Sequence, residues 1–356
     1  MSGSKLKLDQ GERIDVLRGL YLGLLQREPD PAGLKHWLES WNAGMSVEEI
    51  AHALISSAEA QCGITTQRRC ADAAAQAART SALSRLDTAK LSRPIVIVDV
   101  GAQNLSNEDH VYAGLARAGL PTRVIGFEPL EHRRHERLQA SAEHITLLPA
   151  FVGDGELHTF HVNEPDATSS LLPFNETMIR QLVDLDCLHT ERTEEAATTT
   201  LDVALSAEEH IDFLKLDIQG FELAALRHAT EVLQRTLVVH CEVSFLEIYE
   251  KQALFSEVEL HMRRQGFELI DLMSMCHYPL AGNPYRTCRD RLGWADAVFM
   301  RRRGCAGEHW EDILFRSLIA LIVYNKPSLA CRFADGLDGT PAAPYKRALS
   351  GEVQFP

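Results

Sequence analysis

Ile95-Val96-Ile97-Val98-Asp99-Val100-Gly101 is an apolar run that stops at an acid and a glycine. Two later stretches repeat the pattern: Val124-Ile125-Gly126-Phe127-Glu128-Pro129 and Phe213-Leu214-Lys215-Leu216-Asp217-Ile218-Gln219-Gly220. Such a run, bounded by turn residues, reads as a strand of a parallel sheet buried on both faces. Open parallel sheets bind ligands beyond the carboxyl ends of their strands. Asp99, Glu128 and Asp217 are therefore expected at one ligand-binding edge.

Working outward, strands are expected at 95–100, 123–128, 145–152, 211–217 and 236–243, with helices near 108–118, 130–141, 221–233 and 253–265. A loop-rich insertion runs to about 193. Strands near 267–273 and 294–302 are close enough in sequence to form a terminal antiparallel pair. The alternation predicts right-handed crossovers and an α/β, doubly wound, mostly parallel sheet. The last fifty residues read as helical around 308–325 and irregular thereafter.

The N-terminal part has a different character. Asp30-Pro31 supplies an N-cap and a proline at the first helical position, followed by Leu34, Trp37, Leu38 and Trp41 at helical spacing. Ser46 and Glu49 form a capping box for a further helix carrying Ile50, Ala53 and Leu54. An earlier stripe of Val16, Leu20, Leu24 and Leu25 completes a small all-α domain. The expected division is 10–65 helical domain, 66–93 linker, 94–303 sheet domain and 304–356 helical extension.

Composition narrows the function. A formal net charge of -14 disfavours binding to nucleic acid or an anionic membrane surface. The eight cysteines are scattered without metal-ligand spacing, which fits reduced thiols. The polar start, Met1-Ser2-Gly3-Ser4-Lys5-Leu6-Lys7, lacks a signal region, and no apolar run has membrane-spanning length. A cytoplasmic protein is expected.

A dinucleotide fold would place Gly-x-Gly-x-x-Gly after the first strand, so that backbone can approach a pyrophosphate. Asp99-Val100-Gly101-Ala102-Gln103-Asn104 supplies one glycine only. That suits a ligand without phosphates, such as S-adenosylmethionine (SAM). Glu128 is placed to accept hydrogen bonds from both ribose hydroxyls, and its spacing from Gly101 predicts a long first helix.

Taken in order, Val98-Asp99-Val100-Gly101-Ala102, Gly126-Phe127-Glu128-Pro129, Ala150-Phe151-Val152-Gly153-Asp154-Gly155, Thr200-Leu201-Asp202 and Leu214-Lys215-Leu216-Asp217-Ile218-Gln219-Gly220-Phe221-Glu222 resemble the motifs of FkbM-type methyltransferases. Ser169-Ser170-Leu171 and Trp294-Ala295-Asp296-Ala297-Val298-Phe299 extend the resemblance over about 94–302. It implies a class I, Rossmann-like methyltransferase that uses SAM, commonly to O-methylate sugars or natural products. On the matching positions it implies cofactor contacts from Asp99, Gly101, Ala102, Gln103, Glu128, Pro129, Gly153, Asp154 and Asp217. Two departures stand out: Gln103-Asn104-Leu105 after Gly101, and Gln219 where the family carries an acid. Residues 21–38 resemble a small helical domain of uncharacterised function found beside carbohydrate-related enzymes, through Arg27, Pro29, Asp30, Gly33 and Trp37. This domain is a candidate site for protein docking.

Methyl transfer to an alcohol needs alignment and a proton acceptor. Asp217 leads the candidates at its strand end, and His240 and Glu242 alternate on Val238-Val239-His240-Cys241-Glu242-Val243 so that both face one way. Lys215 is expected to pair with Asp217 or Glu242. Asp217, Glu242 and Asp296 together could hold magnesium, a hard cation that prefers oxygen. His277, Arg286, Arg289 and Arg291 either line the acceptor side or are solvated. Two other readings stay open: a nicotinamide-dependent oxidoreductase, and a methyltransferase-like binding or assembly module without catalysis.

Overall fold

The computed structural model describes residues 10–25, 29–55, 76–77, 79–102, 110–140, 145–282, 284–285, 287–302 and 308–351. The chain divides into two units, Met1–Ala77 and Ala78–Pro356.

In the first unit, helices span Gln10–Leu25, Pro31–Asn42 and Val47–Ile55. The caps form as expected. Gly33 N donates to Asp30 Oδ1 (2.9 Å), Glu49 N to Ser46 Oγ (3.2 Å) and Ser46 N to Glu49 Oε2 (2.7 Å). The core consists of Leu17, Tyr21, Ile50 and Leu54, with Leu20, Leu34, Trp37, Leu38 and Trp41 packed against it. The first helix thus turns Leu17 and Tyr21 inward and leaves Val16 half-buried. The reason is Tyr21, whose ring is apolar and whose hydroxyl accepts from Trp37 Nε1 (3.2 Å). That hydroxyl lies 2.6 Å from where a Cβ on Gly33 would be, so the space exists because residue 33 is glycine. The side chains of Leu24 and Leu25, and all of Arg27, lie outside the described residues.

The second unit carries strands β1 (Ile95–Val100), β2 (Thr122–Phe127), β3 (Ile145–Leu148), β4 (Phe151–Val152) and β5 (Leu157–Glu164). β6 (His189–Thr199), β7 (Ile211–Leu216), β8 (Thr236–Ser244), β9 (Phe267–Tyr278) and β10 (Arg291–Arg301) follow. The main sheet has the order β3-β2-β1-β7-β8-β10-β9. Pairing is parallel from β3 to β8, and β10 runs antiparallel to both its neighbours. The last two strands do pair, with the later one inserted inside the earlier.

Alternation sorts the strand residues into two cores. Ile95, Ile97, Phe213, Val238, Val298 and Met300 face Tyr112, Leu115 and the helices Trp310–Ile322, Pro327–Ala334 and Ala343–Leu349. Val96, Val98, Leu214, Leu216, Val239 and Phe299 face the helices Glu222–Arg227, Thr230–Gln234 and Phe255–Arg264.

Several elements differ from expectation. The strand expected over 145–152 breaks after Leu148, and β4 leaves for a second sheet of order β4-β6-β5. The expected loop-rich insertion therefore contains a long antiparallel pair, β5 with β6. The helix expected over 221–233 is two helices, because Asp202 accepts from Glu231 N (3.1 Å) and Val232 N (2.8 Å) and caps a new start. Among the described residues the first crossover carries the helix Ala113–Arg117, inside the expected 108–118, and residues 103–109 lie outside the described residues. The tail beyond 325 is helical at Pro327–Ala334 and Ala343–Leu349.

Residues 79–93, read above as linker, pack Ala82, Leu83, Leu86 and Leu91 on the first core. Arg93 bridges Asp212 (2.7 Å) and Asp312 (2.6 Å), and Ser92 donates twice to Glu311 (2.6 Å each). Few apolar residues suffice there because buried ion pairs complete the attachment.

Candidate active site

The sheet register assembles the site. Asp99 pairs with Lys215, and Lys215 with His240, while Asp296 pairs with Glu242. Directly opposed residues share a face, so Asp99, Lys215 and His240 form one row. Asp217, two residues beyond Lys215, joins Glu242 and Asp296 in the next row toward the carboxyl edge. Apolar Ile97, Phe213 and Val238 lie beneath them on the same face.

Asp99 is fully buried. Its Oδ2 accepts from Tyr112 Oη (2.6 Å), and His110 Nδ1 is 3.4 Å away. Its Oδ1 has no hydrogen-bond partner among the described residues but faces Lys215 Nζ at 3.6 Å. Lys215 Nζ is also 3.4 Å from Asp217 Oδ2. Burial works against the Lys215 charge, yet Asp217, Asp99 and Asp296 outweigh it and raise its pKa. The expected Lys215–Asp217 pair is present, with Asp99 as the second partner.

Burial, together with Asp217, Glu222 and Asp296, pushes Glu242 well above the usual carboxylate range. Its neutral, proton-bearing form is favoured. Asp296 behaves oppositely: burial opposes its charge, but His240, Ser274 and Lys215 hold its pKa below the ordinary value. His240 is buried, with Nε2 3.7 Å from Asp296 Oδ1 and Nδ1 3.2 Å from Tyr324 Oη. Its ring stacks on Phe213 and Tyr324, with centroids 6.2 Å away in each case. Both ring nitrogens are thus engaged, which places His240 behind Asp296.

The turn after β1 brings three strand ends together. Gly101 and Ala102 both donate to Phe127 O (3.1 Å), and Asp217 N donates to Val100 O (3.1 Å). Gly101 has φ +79°, and a Cβ there would lie 2.0 Å from Asp217 O. Only glycine permits this approach. Gln103 lies outside the described residues. At the end of β2, buried Glu128 accepts from Leu130 N (2.8 Å), and among the described residues no other donor reaches its carboxylate. Burial raises its pKa, partly offset by Leu130 N and by Arg133 and Arg134. The Pro129 carbonyl accepts from Arg134 Nη1 (2.5 Å).

Gly153 and Asp154 lie in the turn after β4, where a Cβ on Gly153 would meet Thr198 at 2.9 Å. Asp154 Oδ1 is 2.8 Å from His158 Nε2 and accepts from Glu156 N (3.0 Å) and Thr198 Oγ1 (3.3 Å). Its carboxylate is committed to the turn.

Covering segments close the edge. Phe174, Ile179, Leu182, Leu185, Leu246 and Tyr249 form a small apolar cluster. Ser170 Oγ donates to Gln219 O (2.7 Å) and accepts from Leu172 N (3.0 Å). Arg289 and Arg291 are exposed, and Arg286 lies outside the described residues. The magnesium alternative finds no support: among the described residues no three acidic, histidine or cysteine side chains converge on a metal position. Lys215 Nζ faces Asp217 Oδ2 at 3.4 Å and Gln219 Nε2 donates to Asp217 Oδ1 (2.9 Å), so both oxygens of that carboxylate already have partners.

Residues 99–269 match the family model described as the methyltransferase FkbM domain, and residues 13–63 match DUF4214, a domain of unknown function. No curated protein matches significantly. Among solved structures, magnesium protoporphyrin IX methyltransferase from Synechocystis PCC 6803, with bound SAM, is 11% identical, with 84% of this chain and 100% of that one covered and a TM-score of 0.30. Methyltransferase FkbM from Methylobacillus flagellatus KT is 14% identical, with 80% and 60% covered and a TM-score of 0.31. Precorrin-6y C5,15-methyltransferase from Geobacter metallireducens GS-15 is 12% identical, with 63% and 88% covered and a TM-score of 0.30. These three likenesses are too weak to carry an argument, and the assignment rests on the family model. Residues 99–269 of this chain thus form an FkbM methyltransferase domain, which follows a DUF4214 domain at residues 13–63.

Proposed function

We propose that the large unit is a SAM-dependent O-methyltransferase acting on a hydroxyl of a sugar, glycan or glycosylated natural product. The observation that carries this reading is the meeting of β1, β2 and β7 at Gly101, which sets Asp99, Glu128 and Asp217 around one turn without a phosphate-binding glycine series. Glu128, with a single donor on its carboxylate among the described residues, fits a ribose diol. The backbone of Gly101 and Ala102 would hold the amino acid end, Asp217 its cationic side, and the backbone near Gly153 and Asp154 the adenine, with buried Asp99 acting from behind through Lys215. When bound, SAM supplies a methyl group on a positively charged sulfur.

The chain's own residues then have to orient an acceptor and take its proton. Asp296 is the best-placed proton acceptor, being ionised and partly accessible with His240 behind it. Tyr324 holds the imidazole, and His240 acts through Asp296. Glu242, in its acid form, donates to an acceptor oxygen beside it. One donor between two acceptors suits a hydroxyl-rich molecule. The carbohydrate class rests on family resemblance and on this polarity.

Among the described residues no helix is long and apolar enough to cross a membrane. Cys187, Cys241, Cys276, Cys288 and Cys331 are free thiols, which supports a cytoplasmic setting. The N-terminal unit is a candidate docking module.

The test is calorimetric titration with SAM and S-adenosylhomocysteine, using NAD as a control. Saturable binding of the first two is expected, weakened about 10- to 100-fold by Glu128→Ala, since hydrogen bonds to a charged group contribute roughly 1.5–3 kcal/mol. Unchanged affinity in a folded variant would remove the ribose assignment.

A further inference from the structure

Gln219 follows the strand end at Asp217 with φ +54°, a left-handed conformation that a residue with a side chain rarely adopts. The turn folds its side chain back. Nε2 donates to Asp217 Oδ1 (2.9 Å), and Oε1 accepts from Tyr249 Oη (3.1 Å). The Tyr249 hydroxyl has one proton and shares it between Gln219 Oε1 and Thr168 O (2.8 Å), and Ser170 Oγ donates to Gln219 O (2.7 Å). A carboxylate only accepts, so the amide orientation is settled by chemistry: nitrogen toward Asp217, oxygen toward Tyr249. One side chain therefore joins the end of β7 to the segments around Thr168 and Tyr249 that cover the edge.

We propose that Gln219 is a positioning residue for the cofactor and acceptor site, fixing the Asp217 carboxylate and tying its orientation to the covering segments through Tyr249. This deepens the methyltransferase reading and rests on it. With Oδ1 held by Gln219 and Oδ2 facing Lys215, Asp217 has one orientation available to a ligand. A glutamate at 219 would match the shape, but its ionised form would press a like charge on Asp217. Glu222, Glu242, Asp296 and Asp99 lie in the same field, and Lys215 is the cation among them. Only the protonated acid could donate as the amide does. The identity of residue 219 is therefore expected to show as a pH dependence.

The experiment compares the full-length chain with Gln219→Glu, Gln219→Leu and Tyr249→Phe at about pH 6 and about pH 8.5, where an introduced carboxyl among like charges changes its protonation. S-adenosylhomocysteine affinity is measured by calorimetry and melting temperature alongside. Gln219→Glu is expected to bind at least about tenfold more weakly at the higher pH and to recover most of that loss at the lower one. Gln219→Leu should be weak at both, and Tyr249→Phe should lose affinity without a pH dependence. A Gln219→Glu profile parallel to the parent, or a Gln219→Leu protein that binds normally, overturns the proposal. Should the parent itself not bind S-adenosylhomocysteine, the cofactor reading fails separately. Melting temperatures still decide the clamp: a gap between Gln219→Glu and parent that closes at low pH is expected, and a constant gap or none rejects it.

Discussion

At the scale of single residues, Glu222 shows how position sets chemistry. Its Oε1 accepts from Ile218 N (2.9 Å) and Gly220 N (3.1 Å), holding the turn after Asp217. Burial, reinforced by Asp217, pushes its pKa up to about 7 from 4.5. The folded state then binds the proton more tightly than the unfolded chain. Stability from this group is present below the unfolded value and is lost as pH rises toward the folded one. Glu222→Gln retains the accepting oxygen and removes the titration. Relative to the parent, it should gain stability between about pH 5 and about pH 8, by a few kcal/mol at about 1.4 kcal/mol per pKa unit. Urea melts at the two pH values check this, and parallel curves for the two proteins would count against it. Asp99, Glu128 and Asp217 were legible in the sequence because each interrupts an apolar run. Tyr249 and Tyr324 were not, and Gln219 was legible only as a departure from the family pattern, since each acts on a partner that only folding brings near: Gln219 and Tyr249 are 30 residues apart, and His240 and Tyr324 are 84 apart.

At the scale of elements, the helix Trp310–Ile322 shows what an apolar run with an embedded arginine means. Arg316 interrupts the apolar run from Leu314 to Tyr324. In the fold it is fully buried, pairs with Glu308 (2.6 Å), donates to Arg301 O (3.2 Å) and lies over the Phe333 ring at 4.8 Å. It joins the end of β10 to two helices. Arg316→Ala is expected to destabilise the large unit by about 3–5 kcal/mol, the usual effect of removing one partner from a buried pair. Denaturant unfolding measures it, and a loss below about 1 kcal/mol would assign the contact to a solvated surface pair. The β5–β6 pair was hidden for the opposite reason. His189–Thr199 is mostly polar and exposed, burying chiefly Ala196 and Thr198, so no alternating apolar pattern announced it. Its stability comes from cross-strand pairing, which a single segment does not display.

At the scale of the whole molecule, the two units have separate cores. Residues 78–356 alone are expected to fold and to bind S-adenosylhomocysteine as the full chain does. Loss of binding in that fragment would give the N-terminal unit a part in the site. Removing residues 304–356 should instead leave an insoluble protein, because Leu314, Phe315, Leu318 and Tyr345 cover the apolar face of the sheet. A soluble, cooperatively melting product would contradict that packing. By itself the sequence determined the strands of the main sheet, its parallel part, the helix caps of the first unit and the acids at the strand ends. These follow from local periodicity and capping, which short segments carry within themselves. Tertiary structure alone decided that Lys215 serves two carboxylates, that Asp296 rather than His240 faces outward, and that the C-terminal helices complete the sheet. Charge pairing and burial depend on which strands become neighbours, and the order β3-β2-β1-β7-β8-β10-β9 is a property of the whole chain.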